Sequence, residues 1–217
     1  REVMDKKKIL LVNLSKGKTG DVNAELLGLI IVSKLQMAAL TRADIQEEDR
    51  KDFYLYIDEF QNFITDSIAT ILSEARKYRL NLIIAHQYVG QLVKNNDTKI
   101  KEAVFGNVGT QFVARIGPED VEVFEKIFTP EFTGYDLMNS DKYTWYVKMI
   151  VNNSQMKPFT MNIIQAPKGS VELASAIKEL SRLKYGRDKR IVEEEILEHT
   201  TIAAQRGGAQ PPSIGES

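Results

Sequence analysis

Four short apolar runs, at residues 8–14, 53–57, 80–85 and 110–116, alternate with stretches whose apolar residues recur at helical spacing. No other feature restricts the fold so strongly. A run that is apolar at every position needs cover on both faces, which a strand obtains in a parallel sheet flanked by helices. The intervening segments supply those helices. Residues 22–41 carry Leu26, Leu27, Ile30, Ile31, Leu35, Ala38 and Ala39, and Asp21 stands where an N-cap is needed. Residues 66–78 and 98–105 are further helix candidates, and 118–128 opens on Pro118, suited to a first helical turn. The pattern predicts an α/β fold with a mainly parallel sheet and helices on both faces.

Beyond Phe132 the rhythm changes. Residues 142–151 and 159–164 alternate apolar with polar side chains around the turn Asn152-Asn153-Ser154, which predicts an antiparallel edge hairpin. An amphipathic helix is expected over 171–183 and a charged one over 188–198. The end is rich in Gly, Pro, Ser and Gln and is expected to be disordered. The division this predicts is a main domain at 1–165, a helical extension at 166–200 and a tail at 201–217.

Charge narrows the function classes only slightly. Lys plus Arg total 29 and Asp plus Glu 30, so any contact with DNA must come from a local patch, or from patches gathered by symmetry. Cysteine is absent, which excludes disulfides and thiolate metal sites. The two histidines, His86 and His199, lack a metal-ligand spacing. The first eight residues lack the apolar segment of a signal peptide, and no membrane span is expected, since none of the apolar runs approaches roughly 20 residues.

Ser15-Lys16-Gly17-Lys18-Thr19-Gly20 contains the tripeptide that closes many phosphate-binding loops. The full pattern is G-x-x-x-x-G-K-S/T. The first glycine would fall at position 12, which is Val12, and a valine there crowds a phosphate and resists the loop's backbone angles. Gly20 and Asp21 follow at once, a poor start for a helix that caps an anion. The segment reads as a glycine turn after a strand.

The chemistry concentrates elsewhere. Phe53-Tyr54-Leu55-Tyr56-Ile57 ends abruptly on Asp58-Glu59, the shape of a Walker B motif: a carboxylate can order the water shell of a nucleotide's Mg²⁺, and a second can act as base toward an attacking water. Open α/β sheets bind ligands at the carboxyl ends of their strands. The plainer alternative is a strand ending in a solvated acid pair. Gln87 follows the run 80–85, where its amide could contact a γ-phosphate or the attacking water; otherwise it is a turn or capping residue. Arg76 and Arg79 fall at a helix end, where cations suit the dipole. Alternatively, Arg76 is an arginine finger offered to a neighbouring subunit.

These segments resemble a family. Leu55-Tyr56-Ile57-Asp58-Glu59-Phe60, Ser73-Glu74-Ala75-Arg76-Lys77 and Ala85-His86-Gln87-Tyr88-Val89-Gly90-Gln91-Leu92 are similar to the carboxyl-terminal half of the type IV secretion coupling ATPases. These are conjugative DNA motors of the TraD/TraG kind, related to the HerA and FtsK translocases. The similarity covers about residues 8–164. It implies a RecA-like P-loop NTPase fold whose phosphate-loop half is missing here, with ATP and Mg²⁺ as cofactors. Asp58 would help hold Mg²⁺, Glu59 would polarise the attacking water, Gln87 would sense phosphate and Arg76 would act in trans. The family works as a hexameric ring that moves DNA at the cytoplasmic face of the bacterial inner membrane. The implied partners are DNA, further copies of the chain, and secretion-channel and relaxosome proteins, with membrane contact through segments outside this chain. Lacking a Walker A loop, the chain by itself is expected to be inactive and to be part of a longer motor. A generic RecA-like helicase or DNA-packaging ATPase, and a non-catalytic assembly module, are the alternatives.

Overall fold

The computed structural model describes residues 1–15, 17, 20–64 and 66–207. Strands β1 (Phe53–Ile57) and β2 (Leu80–Ile84) pair in parallel, with Phe53 opposite Leu80 and Ile57 opposite Ile84. Alternation across the strand decides what they bury. Phe53, Leu55 and Ile57, with Leu80, Leu82 and Ile84, face one hydrophobic core. The opposite face carries Tyr54, Tyr56 and Ile83 and is open, with the two tyrosines 57% and 71% exposed.

Helix α1 (Glu2–Asp5) sends Met4 into that core, and helix α2 (Asp21–Leu40) contributes Val32 and Ala39. Gly20, not Asp21, is the N-cap of α2. Gly28 allows α2 a close approach to its neighbour: a Cβ there would lie 2.1 Å from the Phe63 ring. By length and composition Asp21–Asp44 is apolar enough to cross a membrane, with a mean hydropathy of 1.5, a property no single unbroken run in the sequence discloses. Here its small side chains, Ala24, Gly28 and Ala39, are buried in the domain.

Between β1 and β2 runs helix α3 (Asp66–Glu74), which tightens into the 3₁₀ turn Ala75–Tyr78. Ile68, Ile71 and Ala75 cover the packed face of the parallel pair. Helix α4 (Lys99–Asn107) follows β2 and adds Ile100 and Val104 to the same core. Arg42 is fully buried behind this region and donates to the Tyr78 carbonyl at 3.0 Å and to that of Lys51, with Asp5 3.4 Å away. Burial pulls its guanidinium pKa down, against the opposing pull of Asp5.

A second core forms around a different sheet. Strand β3 (Gln111–Val113) pairs antiparallel with β4 (Thr144–Lys148), and β4 in turn with β7 (Phe159–Asn162). The short ribbon of β5 (Ile150–Val151) and β6 (Ser154–Gln155) closes on Asn152 and Asn153, both in the left-handed region. Val113 and Tyr146 pack on Phe124 and Phe128 of helix α5 (Pro118–Phe128) and on Leu137 of α6 (Gly134–Met138).

The α/β class holds, but the mainly parallel sheet with helices on both faces does not. Residues 9–13 form no strand; Ile9 and Leu11 are 87% and 80% exposed, because nothing among the described residues lies over them to reward burial. The run near 110–116 joins the antiparallel hairpin instead of the parallel pair. A wholly apolar run announces a strand without naming its neighbour, and β4 offers β3 a ready antiparallel edge.

Residues 1–164 make one compact unit and 165–217 another. The second holds helices α7 (Val171–Tyr185), capped by the Ser170 hydroxyl on the Leu173 N–H at 3.0 Å, and α8 (Lys189–Gly207). Helix α8 continues past position 200, so residues 201–207 of the expected tail are helical; 208–217 lie outside the described residues, as do Lys18 and Thr19 of the Gly-Lys-Thr turn.

Candidate functional site

The site begins where β1 stops. Ile57 is buried, Asp58 is exposed, and Glu59 turns the chain through a left-handed conformation, φ 50° and ψ 46°. For a residue with a Cβ that conformation costs about 1–2 kcal/mol. The turn has a clear result: Phe60 drops into the core with no exposed surface, and its N–H donates to the Ala85 carbonyl at 2.9 Å, pinning the turn to the end of β2. The Asp58 Oδ1 accepts from the Glu59 N–H at 2.9 Å and folds back along the turn.

Glu59 is then held from two sides. The Gln87 Nε2 donates to its Oε1 at 2.9 Å, and the Gln61 Nε2 donates to its Oε2 at 2.5 Å. Amide donors on both oxygens of a carboxylate restrict its rotamer. Gln87 is itself seated by Gln91, whose Oε1 accepts the Gln87 N–H at 2.9 Å and the Tyr88 N–H at 3.3 Å. The next residue is anchored deeper: the buried Asp120 of α5 accepts the Val89 N–H at 3.1 Å. Beside this loop a cleft of about 410 Å³ is lined by Gln61, Tyr88, Gln91 and Lys94, among others.

Arg76 does not join this cluster. It lies in the 3₁₀ turn that precedes β2, whereas Glu59 and Gln87 follow the carboxyl ends of β1 and β2. Five residues of strand, roughly 15 Å, separate the two ends. The backbone just after it is braced: Arg50 donates to the Lys77 carbonyl and Arg42 to that of Tyr78, while the Arg50 guanidinium sits 5.5 Å above the Tyr78 ring. The Arg76 side chain is exposed and has no partner among the described residues. It is an exposed cation at the end of the strands opposite Glu59 and Gln87.

The structure thus brings Asp58, Glu59 and Gln87 to one edge and leaves Arg76 at the other. Gln61, Gln91 and Asp120 were not singled out in the sequence. The i, i+4 spacing of Gln87 and Gln91 was available as a signal; Gln61, two residues past the acids, gave none.

Residues 52–127 match a family described as the TraM recognition site of TraD and TraG. They form a TraD/TraG-like coupling-protein region. That region spans β1, both acids, Arg76, Gln87 and most of α5. Among solved structures, the unbound monoclinic form of the bacterial conjugative coupling protein TrwBdeltaN70 is similar at TM-score 0.51 and 17% identity, over 65% of this chain and 38% of that one. The plasmid coupling protein TrwB in complex with the non-hydrolysable GTP analogue GDPNP is similar at TM-score 0.49 and 17% identity, over 64% and 37%. This chain therefore spans less than two fifths of the coupling-protein structures it matches. No curated protein matches the sequence.

Proposed function

We propose that this chain is part of an ATP-driven, RecA-like coupling protein that moves DNA in conjugative, type IV transfer. The observation that carries the reading is the Gln87–Glu59 hydrogen bond, set at the carboxyl ends of two adjacent parallel strands within the TraD/TraG-like region. In this reading Glu59 is the base that takes a proton from the water attacking the γ-phosphate. A γ-phosphate competes for the same Gln87 amide. When Gln87 turns to phosphate, Glu59 gives up that hydrogen bond as the phosphate arrives, which ties the base to a loaded site.

The donor set suits Mg²⁺. This ion keeps several waters and takes one or two carboxylates beside the substrate phosphates. Among the described residues no cluster of three ligating side chains exists that would suit a dedicated metal cage, and Asp58 offers an exposed carboxylate at the strand end. When bound, Mg²⁺ would neutralise charge on the phosphates; Asp58 would order its water shell.

Arg76, on its braced turn, serves the nucleotide of the next subunit, which fits assembly as a ring of six. The family description points to a relaxosome protein of the TraM kind as partner, and secretion-channel proteins at the cytoplasmic face of the bacterial inner membrane complete the reading. The test is steady-state ATP turnover and conjugative transfer by the full-length parent and its Glu59→Gln variant. Loss of both on substitution, with nucleotide binding retained, supports the proposal; undiminished turnover in Glu59→Gln overturns it. The 217-residue chain alone is expected to release no phosphate.

A further inference from the structure

We propose that Gln91 is a positioning residue for Gln87, an inference that rests on reading Gln87 as the amide that exchanges Glu59 for a phosphate. Ala85 is the last residue of this segment tied to β1, its N–H donating to the Ile57 carbonyl at 3.0 Å. Beyond it the chain is exposed at Gln87 and Tyr88 before Val89 is buried. Among the described residues Gln87 makes one hydrogen bond through its side chain, to Glu59, and one through its main chain, to Gln91. The main-chain N–H groups of Gln87 and Tyr88 share a single acceptor, the Gln91 Oε1, at 2.9 and 3.3 Å.

Chemistry settles which end of Gln91 meets them. A main-chain N–H only donates, so the facing atom is the amide oxygen, whose two lone pairs serve both donors. The mount of that oxygen is firm. Gln91 belongs to the 3₁₀ turn Val89–Leu92, whose first and last residues are 4% and 1% exposed. Val89 belongs to the second core and Leu92 to the first, and Asp120 accepts the Val89 N–H. The turn is pinned at both ends, and from it the half-buried Gln91 reaches back to the exposed loop.

The two glutamines therefore divide the work. Gln87 carries the amide that changes partner; Gln91 keeps the main chain beneath that amide in place. Without the acceptor, the N–H groups of an exposed loop bond to water and the segment opens locally. With it, only the Gln87 side-chain torsions change when the amide leaves Glu59, so the amide arrives at one place. A displacement of about 1 Å at a reacting group can cost about 10²-fold in rate.

The experiment uses the full-length parent with Gln91→Met, which keeps the length but removes the acceptor, and Gln91→Glu, which keeps an acceptor oxygen. Gln91→Met is expected to lower kcat for ATP by about 10²-fold with little change in KM, and Gln91→Glu to restore most of it. Because the effect passes through Gln87, Gln91→Met is expected to lower kcat no further in a Gln87→Ala background. A residue that only packs the turn behaves otherwise: its loss lowers kcat equally in both backgrounds and in step with the thermal unfolding midpoint. That result overturns the proposal, as does parental kcat in Gln91→Met or a Gln91→Glu protein no better than Gln91→Met. Should the parent itself turn over no ATP, the exchange reading fails, and crystal structures of the parental and Gln91→Met proteins decide the positioning on its own. A displaced Gln87 main chain in the variant supports it; an unmoved one overturns it.

Discussion

The Gln87 amide nitrogen lies 2.9 Å from Oε1 of Glu59, across the carboxyl ends of two strands that are adjacent in space and separated by a helix in sequence. Each residue is therefore the other's nearest chemical consequence. If Gln87 exchanges Glu59 for a developing phosphate charge, Gln87→Ala in the full-length parent should reduce kcat by about 10²–10³-fold, the range for losing one preorganised donor. KM for ATP should change little. Single-turnover measurements separate the two, and a rise in KM at constant kcat would assign Gln87 to ground-state binding instead.

Arg76 offers a test of assembly. A finger acting in trans is worth about 10³–10⁵ in rate, whereas a cation at a helix end contributes only about 0.3–1 kcal/mol. Arg76→Ala in the ring should leave ATP binding nearly intact and largely abolish turnover. Mixing it with inactive Glu59→Gln protein should restore some hydrolysis, because a mixed ring joins a sound pocket to a sound finger. Near-parental turnover with slightly earlier melting would make Arg76 a helix-end residue only.

The left-handed backbone at Glu59 reverses an ordinary order of stability. Glycine normally weakens a structure relative to alanine, yet at φ 50° alanine carries a steric cost that glycine lacks. Glu59→Gly is expected to be more stable than Glu59→Ala by about 1 kcal/mol, read from urea unfolding midpoints. Both lose the carboxylate and should be inactive. Equal stability would rule out the left-handed turn.

Tyr146 sets an alkaline limit. Its hydroxyl donates to the Asp136 carbonyl at 2.7 Å, and burial, helped by the Asp136 charge, pushes its pKa up. The folded state therefore keeps this proton at a pH where the unfolded chain has lost it. The stabilisation is complete below the unfolded value of about 10 and is lost as pH rises through the folded one. Tyr146→Phe should flatten the decline in stability above about pH 10 and lower stability near neutrality by about 1 kcal/mol. Denaturant titrations at several pH values measure both effects.

Strand β1 and the acids after it were plain in the sequence, since an aromatic and β-branched run that stops at Asp-Glu suits a strand with a polar end and little else. The loop order was plain as well, with Gln87 directly after the second parallel strand. The contact between Gln87 and Glu59 was not. It depends on a left-handed turn at a residue that is not glycine, and no composition rule signals that. Gln61 escaped notice for the same reason: an amide in a short 3₁₀ turn looks like any solvated polar residue until its two flanking phenylalanines are seen to be anchored. Residues 9–12 misled in the opposite sense. Their apolar run describes an environment on two sides, and within the described residues that environment is not present.

The open face of the parallel pair, where Tyr54, Tyr56 and Ile83 meet water, makes stability a shared quantity. A sheet covered on one side only leaves part of its hydrophobic free energy unrealised. Any protein surface that seats there binds the folded form and not the unfolded chain, and by mass action it raises the folded fraction in proportion to its own concentration and affinity. The melting temperature of this chain is then not a constant of its sequence but a reading of what surrounds it.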